Sequence, residues 1–112
     1  MTAQPPTDTG LLAAEPEGPD RSEIIVAAVL AVPGVARMHG GMFGEVATYL
    51  PGRRVRGVQL HEDSAAVHVV LDWGVDIGFT VDLVRSAVQQ LVATPVDVTV
   101  EDLDDAETRD TT

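Results

Sequence analysis

Two segments near the middle of the chain carry apolar residues at every second position, which is the period of a half-buried β-strand. These segments are residues 58–61 and 67–72, and Glu62–Ala65 between them contains turn-forming residues. Pairing Leu60 with Val67 across this turn puts the apolar rows of both segments on one face. The pattern therefore predicts a β-hairpin.

Apolar residues three and four positions apart predict two main helices. The first extends from Ser22, in the position of an N-cap, to about Ala31, where the following Pro33–Gly34 pair stops a helix. The second covers residues 79–93 and begins near Asp76 or Thr80. We expect both helices to pack on a sheet.

Two further segments complete the set of predicted elements. Val35–Met38 follows the first helix as a brief strand, and valines at every second position predict a last strand at Val96–Val100. A strand, a helix and a strand in succession normally give parallel strands joined by a crossover. The order of elements predicts a two-layer α/β (α+β) domain, in which a three- to four-stranded sheet carries both helices on one face.

The net charge of −11 is carried mainly by the two ends of the chain. Residues 1–20 contain four acidic residues and no base, whereas residues 101–112 contain six acidic residues and one arginine. Segments with clustered like charges and few apolar residues bury too little surface to offset the entropy of ordering. We therefore predict a disordered acidic, proline-rich leader at 1–21, a folded domain at 22–103 and a disordered acidic tail at 104–112.

The residue types that are missing exclude several kinds of chemistry. The chain contains no Cys, no Lys and no Asn, so a thiolate nucleophile, a disulfide framework, a P-loop lysine and a Schiff base are excluded. His61 and His68 share the polar face of the predicted hairpin, but no spacing typical of a metal site accompanies them. We predict no catalytic residues, no metal and no cofactor, and hence a protein that is not an enzyme.

The apolar segments are too short to cross a membrane. The longest unbroken run, Ile24–Val32, has nine residues and would measure about 13 Å as a helix, against a hydrocarbon core of about 30 Å. The residues before it are acidic and proline-rich, unlike the basic start of a secretory signal. We expect a cytoplasmic protein without direct membrane insertion.

Residues 38–57 have the most distinctive composition of the chain, with five glycines and three arginines. Four apolar residues between Phe43 and Leu50 fall at helical spacing and predict a short helix that ends at Pro51–Gly52. Most such faces pack on a core, and the alternative is a helix that faces a partner or lies on a membrane surface, with the arginines as its cationic edge. An arginine cluster is usually a solvated rim, but these arginines are the only concentrated positive charge in the sequence. The alternative is that they bind an anionic partner or one of the chain's own acidic tails. The candidate partner-contact residues are Phe43, Tyr49, Arg53, Arg54 and Arg56.

An alternative function arises from Gly41–Gly44, which matches the GXXG loop that clamps the nucleic-acid backbone in KH domains. With Arg53, Arg54 and Arg56 nearby, this segment would form a nucleic-acid-binding module. The residues between the glycines are Met and Phe rather than polar or basic ones, and an acidic chain without lysine is a poor match for a polyanion. Glycines that allow a tight connection are the favoured interpretation, and no nucleic-acid partner is expected.

A series of motifs occurs in order along about residues 23–103. They are Val32–Val35 with its central Pro–Gly, the Gly40–Gly41 pair, Arg53–Arg54 leading to Gly57–Val58, the strand Val67–Leu71 running into Trp73–Ile77, the helix around Val84, Val88 and Gln89, and the final strand of alternating valines. Their order and spacing resemble the alkaline shock protein (Asp/Gls) family of bacterial envelope stress response proteins. The chain departs from the usual pattern at Trp73, where Tyr is commoner, at Phe79, and in a shortened turn at 93–95.

The resemblance implies a non-enzymatic protein of cell-envelope homeostasis that acts through protein–protein interaction. It implies self-association as an oligomer, or docking to an integral-membrane protein partner. The expected location is the cytoplasm, including attachment to the membrane through that partner. No catalytic residues are implied.

Overall fold

The computed structural model describes residues 18–105, so most of the predicted leader (1–17) and tail (106–112) lies outside the described residues. The helices are α1 (Arg21–Leu30) and α2 (Ile77–Gln89). The strands are β1 (Val35–Met38), β2 (Ala47–Leu50), β3 (Arg53–Arg56), β4 (Val58–Leu60), β5 (Ala65–Asp72) and β6 (Val96–Asp104). The helix α1 and the strand β6 each extend one residue into the segments assigned to leader and tail.

Strand β5 lies at the centre of a four-stranded sheet. It pairs antiparallel with β1 and β4, and parallel with β6 along its whole length. Because β6 occupies one edge of β5, β1 and β4 follow each other along the other edge. The parallel β5–α2–β6 unit confirms the predicted crossover, and the α+β class is also confirmed. The strands β2 and β3 form a separate two-stranded hairpin.

The core lies between one face of this sheet and both helices. Val67, Val69 and Leu71 of β5 are fully buried, and they belong to one apolar cluster with residues of α1 and α2. The helical members of the cluster are Ile25, Val29, Val84 and Val88. A single cluster that contains residues from both helices places the helices on the same face, as the sequence predicts.

Asp20, rather than Ser22, is the N-cap of α1. The Asp20 carboxylate accepts a hydrogen bond from the Ser22 amide at 2.9 Å and another from the Ser22 hydroxyl at 2.7 Å. Glu23 completes a capping box by accepting from the Asp20 amide at 2.9 Å. The prediction was wrong because both residue types favour caps, and only the Glu three positions later distinguishes Asp20.

The predicted hairpin forms with its register displaced by two residues. Val58 lies opposite Val67, and Leu60 lies opposite Ala65, whereas the sequence analysis paired Leu60 with Val67. The turn is two residues shorter than predicted, because the His61 amide donates to the Ser64 carbonyl at 2.8 Å. A displacement of two residues keeps every side chain on its predicted face, so the apolar row still meets the helices.

Both strands that run beside the carboxyl-terminal half of β5 change register at Val70. In β1 the shift lies between Val35 and Arg37, and in β6 it lies opposite the step from Val69 to Val70. An extra residue reverses which face the following side chains meet. In β1 it lets Val35 and Met38 both reach the core cluster, while Arg37, opposite Val70, is directed to the other face.

The short helix predicted between Phe43 and Leu50 does not form. Residues 42–44 make a turn, and the segment Ala47–Leu50 is strand β2, paired with β3 across the Pro51–Gly52 turn. Gly52 has φ of +76°, a value that glycine adopts without steric cost. Pairing with β3 satisfies the backbone groups of β2, and this tertiary pairing overrides the helical spacing.

Helix α2 confirms the prediction at its start. The Asp76 carboxylate caps it by accepting from the Phe79 amide at 3.0 Å. It ends at Gln89, four residues before the predicted Ala93. Gln89 donates from its side chain to the Val92 and Thr94 carbonyls at 3.2 and 2.8 Å, which stabilises a turn in place of another helical turn.

We predict that Val67→Ala lowers the free energy of unfolding by about 2–3 kcal/mol, because it removes buried methyl groups and leaves a cavity beneath both helices. Urea denaturation monitored by circular dichroism measures this change. Val98→Ala, at the half-buried position opposite Val67 in β6, is the matched control and should cost less than half as much. Equal costs would contradict the central position of β5.

Candidate functional site

The β2–β3 hairpin has two chemically different faces. Directly opposed residues share a face in an antiparallel pair, so Thr48 and Val55 lie on one face and Tyr49 and Arg54 lie on the other. The first face is held against the domain: Val55 is buried, and the Thr48 hydroxyl donates to the Val58 carbonyl at 2.6 Å. We call this the inner face, and the opposite one, with Tyr49, Arg54 and Arg56, the outer face.

Arg53 fastens the inner face to helix α1. Its Nε and Nη2 donate to the two carboxylate oxygens of Glu23 at 2.7 and 3.0 Å. The same carboxylate caps α1 through the Asp20 amide. The hydrogen bonds from Arg53 and then from Asp20 lower the pKa of Glu23 from its ordinary 4.5 to about 2. Arg53 is therefore a structural contact, although the sequence analysis grouped it with the other partner-contact residues.

Arg54 and Arg56 differ from Arg53 in having no internal partner within the described residues. The ion pairs between residues 18 and 105 involve Arg37, Arg53, Arg85 and His68. Tyr49 lies beside Arg54 on the outer face and is 69% exposed. Three adjacent residues of one hairpin face thus present two guanidinium groups and a phenol to solvent.

A cleft of about 220 Å³ lies between this outer face and the segment that follows β1. Its cationic and polar lining consists of Arg37, His39, Arg54 and Arg56. Its remaining lining is formed by Met38, Gly40, Gly41, Gly44, Val46 and Ala47. The sequence analysis missed Arg37 and His39, which reach the cleft only because β1 pairs with β5. In a regular strand Arg37 would share the face of Val35, and only the bulge between them, which is not visible in the sequence, turns Arg37 to the other face.

Gly40 gives Arg56 a defined position in the cleft. A Cβ added to Gly40 would lie 3.0 Å from Cγ and 3.3 Å from Cδ of Arg56. The stem of Arg56 therefore lies directly over the Gly40 backbone. The φ angle of Gly40 is not positive, so the backbone conformation does not require glycine at this position, but a Cβ there would displace the stem of Arg56.

His39 contributes a hydrogen-bond donor to the cleft. Its Nδ1 accepts from the Gly41 amide at 2.9 Å. A neutral imidazole that accepts at Nδ1 carries its proton on Nε2. Since His39 lines the cleft, its Nε2–H group is a candidate donor to a bound anion.

The Gly41–Gly44 loop uses most of its backbone donors internally. Besides the Gly41 amide, which donates to His39, the Phe43 amide donates to the Glu45 carboxylate at 2.9 Å and the Gly44 amide donates to the Gly41 carbonyl at 3.2 Å. Hydrogen bonds from its own amide and from Phe43 hold the pKa of Glu45 below its ordinary value. Met42 and Phe43 are 81% and 88% exposed at the tip. The loop therefore presents apolar side chains rather than amides that could cradle a phosphate.

Ion pairs cross the outer surface of the sheet beside the cleft. Arg37 donates from Nε and Nη2 to the Asp104 carboxylate at 3.2 and 3.1 Å, and this bidentate pair spans β5 from β1 to β6. His68 Nδ1 lies 2.6 Å from a carboxylate oxygen of Glu101. Between residues 18 and 105 no group of three or more His, Asp or Glu side chains has the arrangement of a metal site.

No protein family, curated protein or solved structure matches this chain. The resemblance to the alkaline shock protein family rests on the sequence motifs described above and stays a prediction. Neither helix of the described region has the length and hydropathy of a membrane-spanning segment.

We predict that Glu23→Gln destabilises the fold at neutral pH, because it weakens the contact between α1 and the hairpin. The pKa of Glu23 is lower in the folded state than its ordinary value, so its stabilising contribution is complete above about pH 4.5 and is lost as the pH falls towards 2. Thermal unfolding of both proteins between pH 7 and 2.5 should show a difference that shrinks over this interval. Glu62→Gln, on the exposed β4–β5 turn, is the control, and a constant difference would contradict the assignment.

Proposed function

We propose that the protein is a non-enzymatic docking protein of the bacterial cell envelope, which acts by binding a protein partner. The partner is a second copy of the chain or an integral-membrane protein. The contact surface consists of the outer face of the hairpin and the tip of the preceding loop. The envelope setting is supported by the family resemblance, and the docking surface is supported by the exposed side chains described above.

The composition of this surface carries the proposal. Met42, Phe43 and Tyr49 are all more than two-thirds exposed, and beside them lie two arginines that form no ion pair within residues 18–105. Aromatic residues, Met and Arg are the types that are enriched in protein interfaces, and Tyr and Arg are over-represented among the residues that dominate binding energy. A solvated surface without a partner would more commonly carry Lys, Glu or Asp.

The hairpin is also suited to docking because its inner face is bound to the rest of the domain. The Arg53–Glu23 pair and the hydrogen bond from Thr48 to Val58 join its inner face to α1 and β4. A surface that is already ordered loses less conformational entropy on binding than a free loop. The outer face can therefore present its aromatic and cationic groups in a fixed arrangement.

The nucleic-acid alternative receives less support from the same geometry. A backbone clamp needs free amides at the GXXG loop, and three amides between Gly41 and Gly44 donate within the chain. The two free arginines lie in a cleft beside the loop rather than along an extended track. We expect a protein, and an acidic one, because the unpaired groups are guanidiniums.

Site-specific crosslinking in cells tests this proposal. A photoreactive phenylalanine analogue is placed at Tyr49 in the full chain, and a second version carries it at Gln90, an exposed residue at the end of α2. We expect discrete protein adducts from position 49 and none at the same mass from position 90. An adduct of twice the chain mass identifies a second copy, and a larger one is identified by mass spectrometry.

Charge reversal supplies the matched control for the crosslinking experiment. Arg54→Glu with Arg56→Glu should remove the adducts, whereas Arg21→Glu with Arg85→Glu changes the net charge equally and should leave them. Adducts that survive the first pair, or that contain only nucleic-acid-binding and ribosomal proteins, would overturn the docking proposal.

A further inference from the structure

We propose that the cleft between β1 and the outer face of the hairpin binds a phosphate group, either as inorganic phosphate or as the phosphoryl end of a small molecule. This is a site for a small anion, distinct from the recognition of a protein partner. It uses Arg54 and Arg56, which the proposed function also uses, but it does not depend on any protein partner.

The first support is the set of donors that converge on the cleft. Three arginines and a histidine line one small volume: Arg37, Arg54, Arg56 and His39. Guanidinium groups offer planar pairs of N–H donors that match phosphate oxygens, and charge-assisted hydrogen bonds of this kind are about twice as strong as neutral ones. A tetrahedral dianion has acceptors on every side and can use donors from both walls of the cleft.

The second support is that the donors are held in place before any ligand binds. Arg56 lies over the Gly40 backbone, where a Cβ would meet its stem at 3.0 Å. Arg37 is oriented by its two hydrogen bonds to Asp104, and His39 is oriented by the Gly41 amide. Preorganised donors cost little ordering entropy when an anion arrives.

The third support is the size of the cleft. Pockets for drug-sized ligands and cofactors measure about 300–1,000 Å³, whereas this cleft has a volume of about 220 Å³. It is large enough for a phosphate group with part of an attached molecule and too small to enclose a nucleotide. The glycines at 40, 41 and 44 keep its floor free of side chains.

Three carboxylates lie near the cleft, and none forms an ion pair with Arg54 or Arg56. Glu101 is bound to His68. Asp104 is bound to Arg37. This ion pair orients Arg37 and offsets part of its positive charge. The Glu45 carboxylate accepts from the Phe43 amide and lies against Gly41, but Glu45 does not line the cleft. The charge available to an anion therefore comes mainly from Arg54 and Arg56.

Titration of the full chain with inorganic phosphate and with phenyl phosphate, followed by two-dimensional NMR at pH 7.5 and constant ionic strength, tests the proposal. We expect saturable shifts of the amides of residues 39–41 and of the side-chain Nε signals of Arg54 and Arg56. Tighter binding of phenyl phosphate assigns the site to a phosphorylated small molecule, and tighter binding of inorganic phosphate assigns it to the free ion. Acetate is the comparison anion and should bind at least tenfold more weakly than either.

Four variants separate the cleft from general charge effects. Arg54→Gln and Arg56→Gln should each weaken phosphate binding about tenfold, which corresponds to about 1.4 kcal/mol. Gly40→Ala keeps every charge but displaces the stem of Arg56, and it should weaken binding to a similar extent. Arg21→Gln removes a positive charge on α1 and should leave the affinity unchanged. The signals of the β5 core in each spectrum report whether the variant is folded. If Gly40→Ala does not fold, Arg54→Gln, which leaves Gly40 unchanged, still tests the proposal.

Shifts that do not saturate, equal affinity for acetate, or equal loss in the Arg21 variant would overturn the phosphate site. The crosslinking result is independent of this outcome. Adducts at position 49 without phosphate binding would support the docking function and contradict the phosphate site. Phosphate binding without adducts would support the phosphate site and contradict the docking function.

Discussion

The burial of strand β5 is the constraint on which the rest of the structure depends. Every other strand of the four-stranded sheet pairs with β5, and its inward side chains meet both helices. Val70, on the opposite face, is also fully buried, and the Arg37–Asp104 ion pair spans β5 on that face. Both neighbouring strands shift their register beside Val70. These shifts keep apolar residues of β1 and β6 towards the core and turn Arg37 and Asp104 outwards. The packing of β5 therefore determines the position of Arg37, which lines one side of the cleft.

The sequence predicts the faces of the strands and the order of the elements better than it predicts the register between strands. Period-two alternation assigned the faces of β4 and β5 correctly, because a face is a local property of each strand. It could not fix their register, since a displacement of two residues preserves the faces, and the turn that closes between His61 and Ser64 decides between the alternatives. The crossover from β5 through α2 to β6 was predictable because its rule depends only on the order of elements.

The candidate site was less predictable, and the reason lies in one assignment. The apolar residues between Phe43 and Leu50 fit helical spacing, yet Thr48 and Tyr49 favour a strand, and Pro51–Gly52 is typical of a β-turn. Treating the segment as a helix made the three arginines one cationic edge. Adjacent residues of a strand point in opposite directions. Arg53 therefore meets Glu23 on one face, while Arg54 and Arg56 lie on the other face and form no ion pair in the part of the chain that the structure describes. The contribution of Arg37 and His39 comes from tertiary pairing alone, which no local pattern contains.

A cationic cleft on a chain with a net charge of −11 favours small anions over extended ones. At physiological ionic strength, charges are screened over about 8 Å, so a compact anion inside the cleft experiences mainly the groups that line it. A polyanion must also pass the acidic groups outside the cleft, including Glu45 at the loop and the carboxylates of β6 that follow Val100. An acidic protein segment or a phosphate group needs only the local field, whereas a nucleic acid needs a basic surface several nucleotides long. Arg53 lies on the opposite face of the hairpin from Arg54 and Arg56, and this separation gives the arginines two roles. Arg53 holds the hairpin against α1. Arg54 and Arg56 supply a positive potential that is too local for a nucleic acid and sufficient for a single anionic group.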